Sequence, residues 1–389
     1  MIENNSETEN LKVMEPSEDK IIVIARHSYS RALLLKSKLE AEGIDCFLSH
    51  QNLLQATISG GVEIKVRLTD VEKALKVIEQ SLSEHGTQKE VAVKSLRSVR
   101  KILVPIDFSE GSTRACSFAI GLAAKLKAEI KLLHVYYNPI VDIAPFDTSH
   151  AYQINLVNYL HETEQNAKRQ LATLAKELKA KALKTNPDLK ITYSLANGLA
   201  AEEIAAASRK FKPGLIVIGT RGIGNQTSGF LGSVTAKLIQ KTETPILAIP
   251  DQSHFTSLDK LKNVLYASDF DKSDHLAMSR LINLLHPFKV RIFCLHVSVG
   301  VKKSWDQVKM DSLKKFISHE FPKEPVAYDI VVSDDVINGL ESYIRNNSID
   351  VIALTNHNRS LLSGFFTPSI TKKVMARINK PLFIFKAID

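Results

Sequence analysis

Cysteine is scarce in this chain, and its scarcity excludes two kinds of protein. Only Cys46, Cys116 and Cys294 occur among 389 residues, far apart and in apolar surroundings. There is no CxxC pair and no Cys/His ligand spacing, so the sequence predicts neither a disulfide framework nor a zinc site. Each cysteine is expected to be a small buried thiol.

Long apolar runs and an apolar leader are also missing. The first ten residues, MIENNSETEN, are polar and acidic, and no run of about 18 apolar residues follows anywhere. We therefore expect a cytoplasmic protein with no membrane association. With few glycines and prolines and 44% hydrophobic residues, the composition is that of a globular protein rather than a disordered or fibrous one.

Basic blocks are absent although the chain carries a net charge of +9. Acidic and basic residues alternate along predicted helices such as residues 163–182, without interleaved aromatic residues. This pattern favours a solvated surface, and we predict no nucleic-acid binding.

What the sequence does contain is an alternation of strands and helices in three parts. Residues 1–19 are polar and predict a flexible arm. Residues 20–85 follow a β-α-β-β-α order, which predicts a small α+β (ferredoxin-like) domain, and residues 86–98 predict a linker. Residues 99–250 and 260–388 each alternate buried strands with helices, which is typical of an α/β protein with a doubly wound parallel sheet.

The last two segments repeat one unit, and we name them the first copy (99–250) and the second copy (260–388). The matched segments are Arg100–Phe108 with Lys262–Phe270, Leu132–Val135 with Cys294–Val297, Leu215–Thr220 with Asp350–Thr355, and Ser228–Leu231 with Ser363–Phe366. As a hypothesis, the five strands of each copy form a sheet in the order 3-2-1-4-5.

A glycine pattern follows the fourth strand of the first copy. Gly219 and Gly222 are followed, after nine residues, by Gly232 and Ser233, which open a helix. Glycines allow close approach of the backbone, and a helix N-terminus offers amides to an anionic phosphate. Ser233 and Thr235 would add hydroxyl donors. Turn glycines and an N-cap serine are the alternative explanation of the same residues.

Asp107 ends the first strand of this copy, as Gly219 ends the fourth. In the order 3-2-1-4-5 the direction of winding reverses between these two strands, and ligands of open α/β sheets bind beyond the strand ends at that point. A carboxylate there can accept hydrogen bonds from a ribose hydroxyl or an adenine amine. A turn or N-cap role is an equally good explanation of Asp107.

Both copies resemble the universal stress protein domain. The pattern Gly219-x2-Gly222-x9-Gly232-Ser233 matches the signature G-x2-G-x9-G-[S/T] of the ATP-binding branch of that family at every defined position. The resemblance spans residues 98–250 and 260–387 and implies an adenine nucleotide alpha-hydrolase-like fold.

The resemblance implies an ATP site in the first copy, with AMP or ADP as alternatives and Mg²⁺ bound only through the phosphates. The implied contacts are Pro105, Ile106, Asp107 and Val135 around adenine and ribose, and Ile218, Gly219, Gly222, Gly232, Ser233, Val234 and Thr235 around ribose and phosphates. No catalytic residue and no protein-held metal are implied.

The second copy departs from the signature. In the sequence alignment Leu354 stands for Gly219, His357 for Gly222, Thr367 for Gly232 and Pro368 for Ser233. A leucine side chain and the missing amide of proline would remove the phosphate site. Asp269 still matches Asp107, so the loss is confined to the phosphate side.

We therefore expect the second copy to be a packing partner. Members of the family pair through their last strands, which implies that Pro245–Ile249 and Pro381–Lys386 meet within one chain. A homodimer of whole chains and an unidentified protein partner are left open.

Residues 20–85 resemble a signal-transducing domain family of unknown function. The matching features are Glu40-Ala41-Glu42-Gly43-Ile44, Gly60-Gly61-Val62 and Val71-Glu72-Lys73-Ala74-Leu75. They supply no chemistry.

Two functions follow from these patterns. The first is a stress or signalling regulator in which ATP occupancy biases conformation or partner choice. The second is a slow ATPase or another adenine-nucleotide-processing enzyme. The HxGH-type, SGGxDS-type and Walker A motifs are absent, and Ile223–Leu231 holds no carboxylate to support hydrolysis. Binding without catalysis is therefore favoured.

Overall fold

The structure is a computed structural model. The structure describes residues 21–27, 29–49, 62–84, 99–137, 150–183, 186–220, 232–251, 260–271, 273–301, 304–356, 371, 373–374 and 377–387. The predicted arm (1–19), the whole predicted linker (86–98), Gly222, His357, Thr367 and Pro368 lie outside these residues.

The chain divides into two compact units, residues 1–92 and 93–389. The elements of the smaller unit are β1 Ile21–His27, α1 Tyr29–Ala41, β2 Cys46–Ser49, β3 Val62–Arg67 and α2 Val71–Glu84. The β-α-β-β-α order predicted from the sequence is observed, and the three strands form an antiparallel sheet in the order β1-β3-β2.

The core of the smaller unit forms where alternating apolar residues of the sheet meet the helices. Ile64 and Val66 of β3 are fully buried, as are Leu35 and Leu39 of α1. Helix α1 ends at Ala41, and Gly43 follows with a φ of +72°, in the left-handed region that favours glycine. The amide of the next residue, Ile44, donates to the Leu39 carbonyl at 2.9 Å and closes the helix end.

The larger unit contains both copies. Elements of the first copy are β4 Lys101–Ile106, α3 Glu110–Leu126, β5 Glu129–Tyr136, α4 His150–Leu183, β6 Ile191–Asn197, α5 Ala200–Phe211, β7 Leu215–Gly219, α6 Ser233–Lys241 and β8 Ile246–Ile249. Elements of the second copy are β9 Asn263–Ala267, α7 Asp274–Leu285, β10 Arg291–Val299, α8 Ser304–Glu320, β11 Val326–Ser333, α9 Val336–Asn346, β12 Val351–Asn356 and β13 Leu382–Lys386.

All ten strands of this unit belong to one sheet, in the order β11-β10-β9-β12-β13-β8-β7-β4-β5-β6. Within each copy the strands are parallel and follow the predicted order 3-2-1-4-5. The copies join through their last strands, β13 and β8, which pair antiparallel with Phe383 opposite Leu247. The predicted pairing within one chain is therefore observed.

Apolar layers on the two faces of the sheet continue across this seam. On one face, Leu247 and Ile249 of the first copy belong to the same buried cluster as Phe383 and Phe385 of the second. On the other face, Ile246 and Ile384 share a second cluster. The two copies thus share a hydrophobic core, which is the main stabilising contribution to such a contact.

The three cysteines are buried and free, as the sequence predicts. Burial raises the pKa of the Cys116 thiol to about 12, so this side chain behaves as a small apolar residue.

Candidate functional site

Sequence-predicted site residues of the first copy gather at one edge of the sheet. Pro105 and Ile106 end β4, Asp107 follows it, Val135 is near the end of β5, Ile218 and Gly219 end β7, and Gly232, Ser233, Val234 and Thr235 form the start of α6. Strands β5, β4 and β7 are parallel neighbours, so their carboxyl ends lie side by side, at the winding reversal where open sheets bind ligands. Gly222 lies outside the described residues.

The turn after β4 fixes the carboxylate of Asp107. Its Oδ1 accepts hydrogen bonds from the amide of Ser109 at 3.1 Å and from the Ser109 hydroxyl at 2.6 Å. The same hydroxyl oxygen accepts from the Ser112 amide and caps α3. Between Asp107 and Ser109 in the chain, Phe108 adopts a φ of +63°. Asp107 is thus part of the turn into α3 and stands at the sheet edge in a fixed orientation.

His134 supports this turn, and sequence reasoning missed it. Its Nδ1 lies 2.7 Å from the carbonyl oxygen of Ile106, and its ring packs on Phe108 with centroids 4.6 Å apart. The Leu-His-Val sequence that recurs in both copies was a signal that could have identified it. In the second copy, His296 lies 2.9 Å from the Ser268 carbonyl and stacks on Phe270.

Gly219 has a packing role that its place in the signature does not reveal. A Cβ atom at this position would lie 2.8 Å from the carbonyl carbon of Gly111 in α3. Real Cβ atoms do not approach a backbone carbon this closely, so only glycine lets the first turn of α3 lie against the end of β7.

The end of β7 in turn holds the start of α6. The hydroxyl of Thr235 donates to the carbonyl of Gly219 at 3.0 Å, and the Gly232 amide donates to the carbonyl of Thr220 at 2.7 Å. Thr235 is only 3% exposed. Its hydroxyl, expected from the sequence to be available to a ligand, instead donates to the protein backbone.

In the described part of the chain, no side chain caps the start of helix α6. Gly232 occupies the N-cap position and has no side chain that could accept from the first helical amides. The first intrahelical bond runs from the Ala236 amide to the Gly232 carbonyl, so the amides of Ser233, Val234 and Thr235 have no acceptor within the helix. Ser233 is exposed. This helix end can take an anion such as a phosphate group.

The strand pairing corrects the alignment of the second copy by one residue. The Ile216 amide donates to the Pro245 carbonyl in the first copy, and the Ile352 amide donates to the Pro381 carbonyl in the second. Ile352 is therefore the counterpart of Ile216, which places Thr355 at the position of Gly219. The assignment of Leu354 to Gly219 was wrong, because a run of apolar residues matches almost as well after a shift of one.

Four hydrogen-bonded polar side chains meet at this point of the second copy. Each of these side chains has a counterpart in the first copy. The pairs are Tyr266 with Val104, Ser268 with Ile106, Asp274 with Ser112, and Thr355 with Gly219. The hydroxyl groups of Tyr266 and Thr355 are 2.8 Å apart. Tyr266 donates to Asp274 Oδ1 at 2.7 Å, and Ser268 donates to Asp274 Oδ2 at 2.5 Å. We name these four side chains the Asp274 network.

Two other features were searched for among the described residues. No group of three or more His, Cys, Asp or Glu side chains there could hold a metal ion. In the same part of the chain, every helix, the 34-residue α4 included, is too short or too polar to cross a bilayer.

Comparison with known proteins supports the resemblance found in the sequence. The family model of the universal stress protein family matches residues 98–250 and 260–386. Universal stress protein YxiE of Bacillus subtilis is 31% identical over 149 residues, which is 38% of this chain and 97% of that protein. Universal stress protein MJ0531 of Methanocaldococcus jannaschii is 29% identical over 153 residues, or 39% of this chain and 81% of that protein.

Among solved structures, a universal stress protein from Archaeoglobus fulgidus matches the fold. It has a TM-score of 0.56 and 20% sequence identity, and the match covers 74% of this chain and 98% of that one. The similarity therefore extends over both copies in tandem. Since the family model matches both copies, which make up most of the sequence, the chain belongs to the universal stress protein family.

Proposed function

We propose that the first copy binds one adenine nucleotide, with ATP as the ligand, and that the protein is a nucleotide-dependent stress or signalling regulator of the cytoplasm. The observation that carries this proposal is the start of α6, where Gly232 takes the N-cap position and has no side chain to accept from the first helical amides. Helix ends of this kind are suited to phosphate.

The position of this helix end supports a nucleotide rather than phosphate alone. The β7 end that holds α6 belongs to the strand beside β4, and Asp107 follows β4 with its carboxylate oriented by Ser109. A nucleoside needs a hydrogen-bond acceptor for its ribose or adenine, and the phosphates need amides. Both groups stand at the same sheet edge, at the point of winding reversal.

The proposal is for binding without efficient turnover. Hydrolysis needs a group that orients water and usually a carboxylate that binds Mg²⁺ beside the phosphates. Asp107 is the acidic residue among the predicted contacts, and its Oδ1 accepts two hydrogen bonds from Ser109. Mg²⁺ would be held by the phosphates of ATP.

Calorimetric titration of the purified full chain with ATP tests the proposal. We expect one ATP per chain, because the second copy lacks the glycines of the signature. The variant Gly232→Val should abolish binding, since a branched side chain at the N-cap obstructs access to the amides of Ser233 and Val234.

A matched control is Asp335→Ala, which removes a helix cap from α9 of the second copy and should leave ATP binding unchanged. Binding of two ATP molecules, or of none, would contradict the proposal. Turnover with Mg²⁺ above about 1 s⁻¹ would make the protein an ordinary enzyme instead.

A further inference from the structure

The carboxyl group of Asp274 is the most deeply buried acid of the second copy. Asp274 begins α7 and is 1% exposed. The hydroxyls of Tyr266 and Ser268 donate to this carboxyl group. The amide of Phe270 also donates to Asp274 Oδ2, at 3.0 Å. The group that occupies the same place in the first copy is the hydroxyl of Ser112, which does not titrate. Nothing in the proposed nucleotide site uses Asp274.

The charges around Asp274 do not compensate a negative charge. From the turn between β9 and α7 it faces Asp269 and Asp271, both of which disfavour its ionisation. From β10 it faces Cys294, whose thiol pKa is raised by burial and by Asp274 itself. On the same strand, burial lowers the pKa of His296 and favours its neutral form. The hydrogen bonds from Ser268 and Tyr266 favour the ionised carboxyl, but burial and the charge of Asp269 outweigh them.

We propose that the Asp274 network is a proton-sensitive latch that holds the start of α7 against β9 and β12 while Asp274 is protonated, and loosens when the proton is lost. Burial, and then the neighbouring Asp269, raise the pKa of Asp274 to about 8. When Asp274 carries the proton on Oδ1, this oxygen donates to the Tyr266 hydroxyl, and Tyr266 donates its own proton to Thr355, since either hydroxyl can be the donor in the bond between them. The pKa of Tyr266 is raised well above its ordinary value, by burial first, so the phenol keeps its own proton.

The sign of the pH effect follows from proton binding. Between the ordinary pKa of an aspartate and about 8, the folded second copy holds a proton that the opened form releases. Its stability therefore falls as pH rises through this window and levels off above it. For one proton, the equilibrium constant for opening rises by at most about tenfold per pH unit. The first copy provides an internal comparison, since Ser112 replaces Asp274.

Hydrogen exchange of the full chain, measured by mass spectrometry between pH 5 and 9 and corrected for base catalysis, tests this latch. We expect residues 273–285 to open more readily as pH rises, while residues 110–126 of α3 respond much less. Asp274→Asn should remove the pH dependence from α7. The control Asp311→Asn, an exposed acid of α8, should retain it. An equal pH response of the two helices in the unaltered protein would overturn the proposal.

The pKa of Asp274 can also be measured in the unaltered protein, so the test does not depend on the folding of a variant. Carbon-13 NMR of the unaltered protein with labelled aspartate should show one carboxyl that titrates near pH 8. If every aspartate carboxyl of the folded chain titrates below pH 5, Asp274 is ionised throughout and the latch does not exist.

Discussion

The two copies have the same fold and the same turn after the first strand, yet they differ where a strand meets a helix. In the first copy Gly219 lets α3 approach the end of β7, and its carbonyl binds Thr235 at the start of α6. In the second copy Thr355 takes the place of Gly219 and bonds to Tyr266. Gly219, which has no side chain, thus supports the candidate nucleotide site, whereas Thr355 at the same position supports the Asp274 network.

The strongest test of this comparison exchanges the two residues. Gly219→Thr should destabilise the first copy by about 1–3 kcal/mol, because its Cβ would meet the Gly111 backbone and force α3 to move. It should also abolish ATP binding, since α6 is held by the same strand end. Denaturant unfolding and ATP titration measure the two effects.

The reverse change, Thr355→Gly, is the control for this exchange. It should weaken the Asp274 network without creating a second ATP site, because the other signature positions also differ. If Gly219→Thr keeps full stability and ATP affinity, the packing explanation of this glycine is wrong.

A smaller effect is expected from Thr235, which joins α6 to β7. Thr235→Val keeps the shape but leaves the buried Gly219 carbonyl without this donor, at a cost of about 1–2 kcal/mol in stability. ATP affinity should fall as the helix start loses its fixed position. Thr235→Ser retains the hydroxyl and should restore both properties. Unfolding curves of the two variants decide the point, and equal stability of Thr235→Val and the unaltered chain would contradict it.

The smallest effect concerns the ion pair across the seam between the copies. Lys386 Nζ lies 2.5 Å from Glu243 Oε1, but the glutamate side chain is 80% exposed. Lys386→Met should therefore lower stability by less than about 1 kcal/mol. Lys241→Met, which removes an ion pair with Glu202 inside the first copy, is the matched control. A much larger loss in Lys386→Met, measured by urea unfolding, would show that charge rather than the shared apolar core joins the copies.

Much of the fold could be predicted from the sequence because the elements are strongly periodic. The alternation of strands and helices that the pattern predicts is observed in both copies, for example in strand β4 and helix α3. The sheet order followed from the alternation of strands and helices together with the family resemblance. Local periodicity is reliable for such elements because one face of each must be buried.

Sequence reasoning failed where the outcome depended on contacts between distant segments. The match of Leu354 to Gly219 used only apolar character, which does not change when a buried strand shifts by one residue. The Asp274 network was missed because Tyr266, Ser268 and Thr355 look like ordinary strand residues until pairing brings them together. The contact between Gly219 and Gly111 joins residues 108 positions apart and leaves no local pattern.

The antiparallel seam has a consequence for how the two copies could communicate. Strands β8 and β13 run in opposite directions, and each is parallel to the other strands of its own copy. The carboxyl ends of the two sets of strands therefore point to opposite edges of the ten-stranded sheet. A ligand at the first copy and the Asp274 network of the second cannot touch one another, so any influence between them must pass through the strands and apolar layers that the copies share.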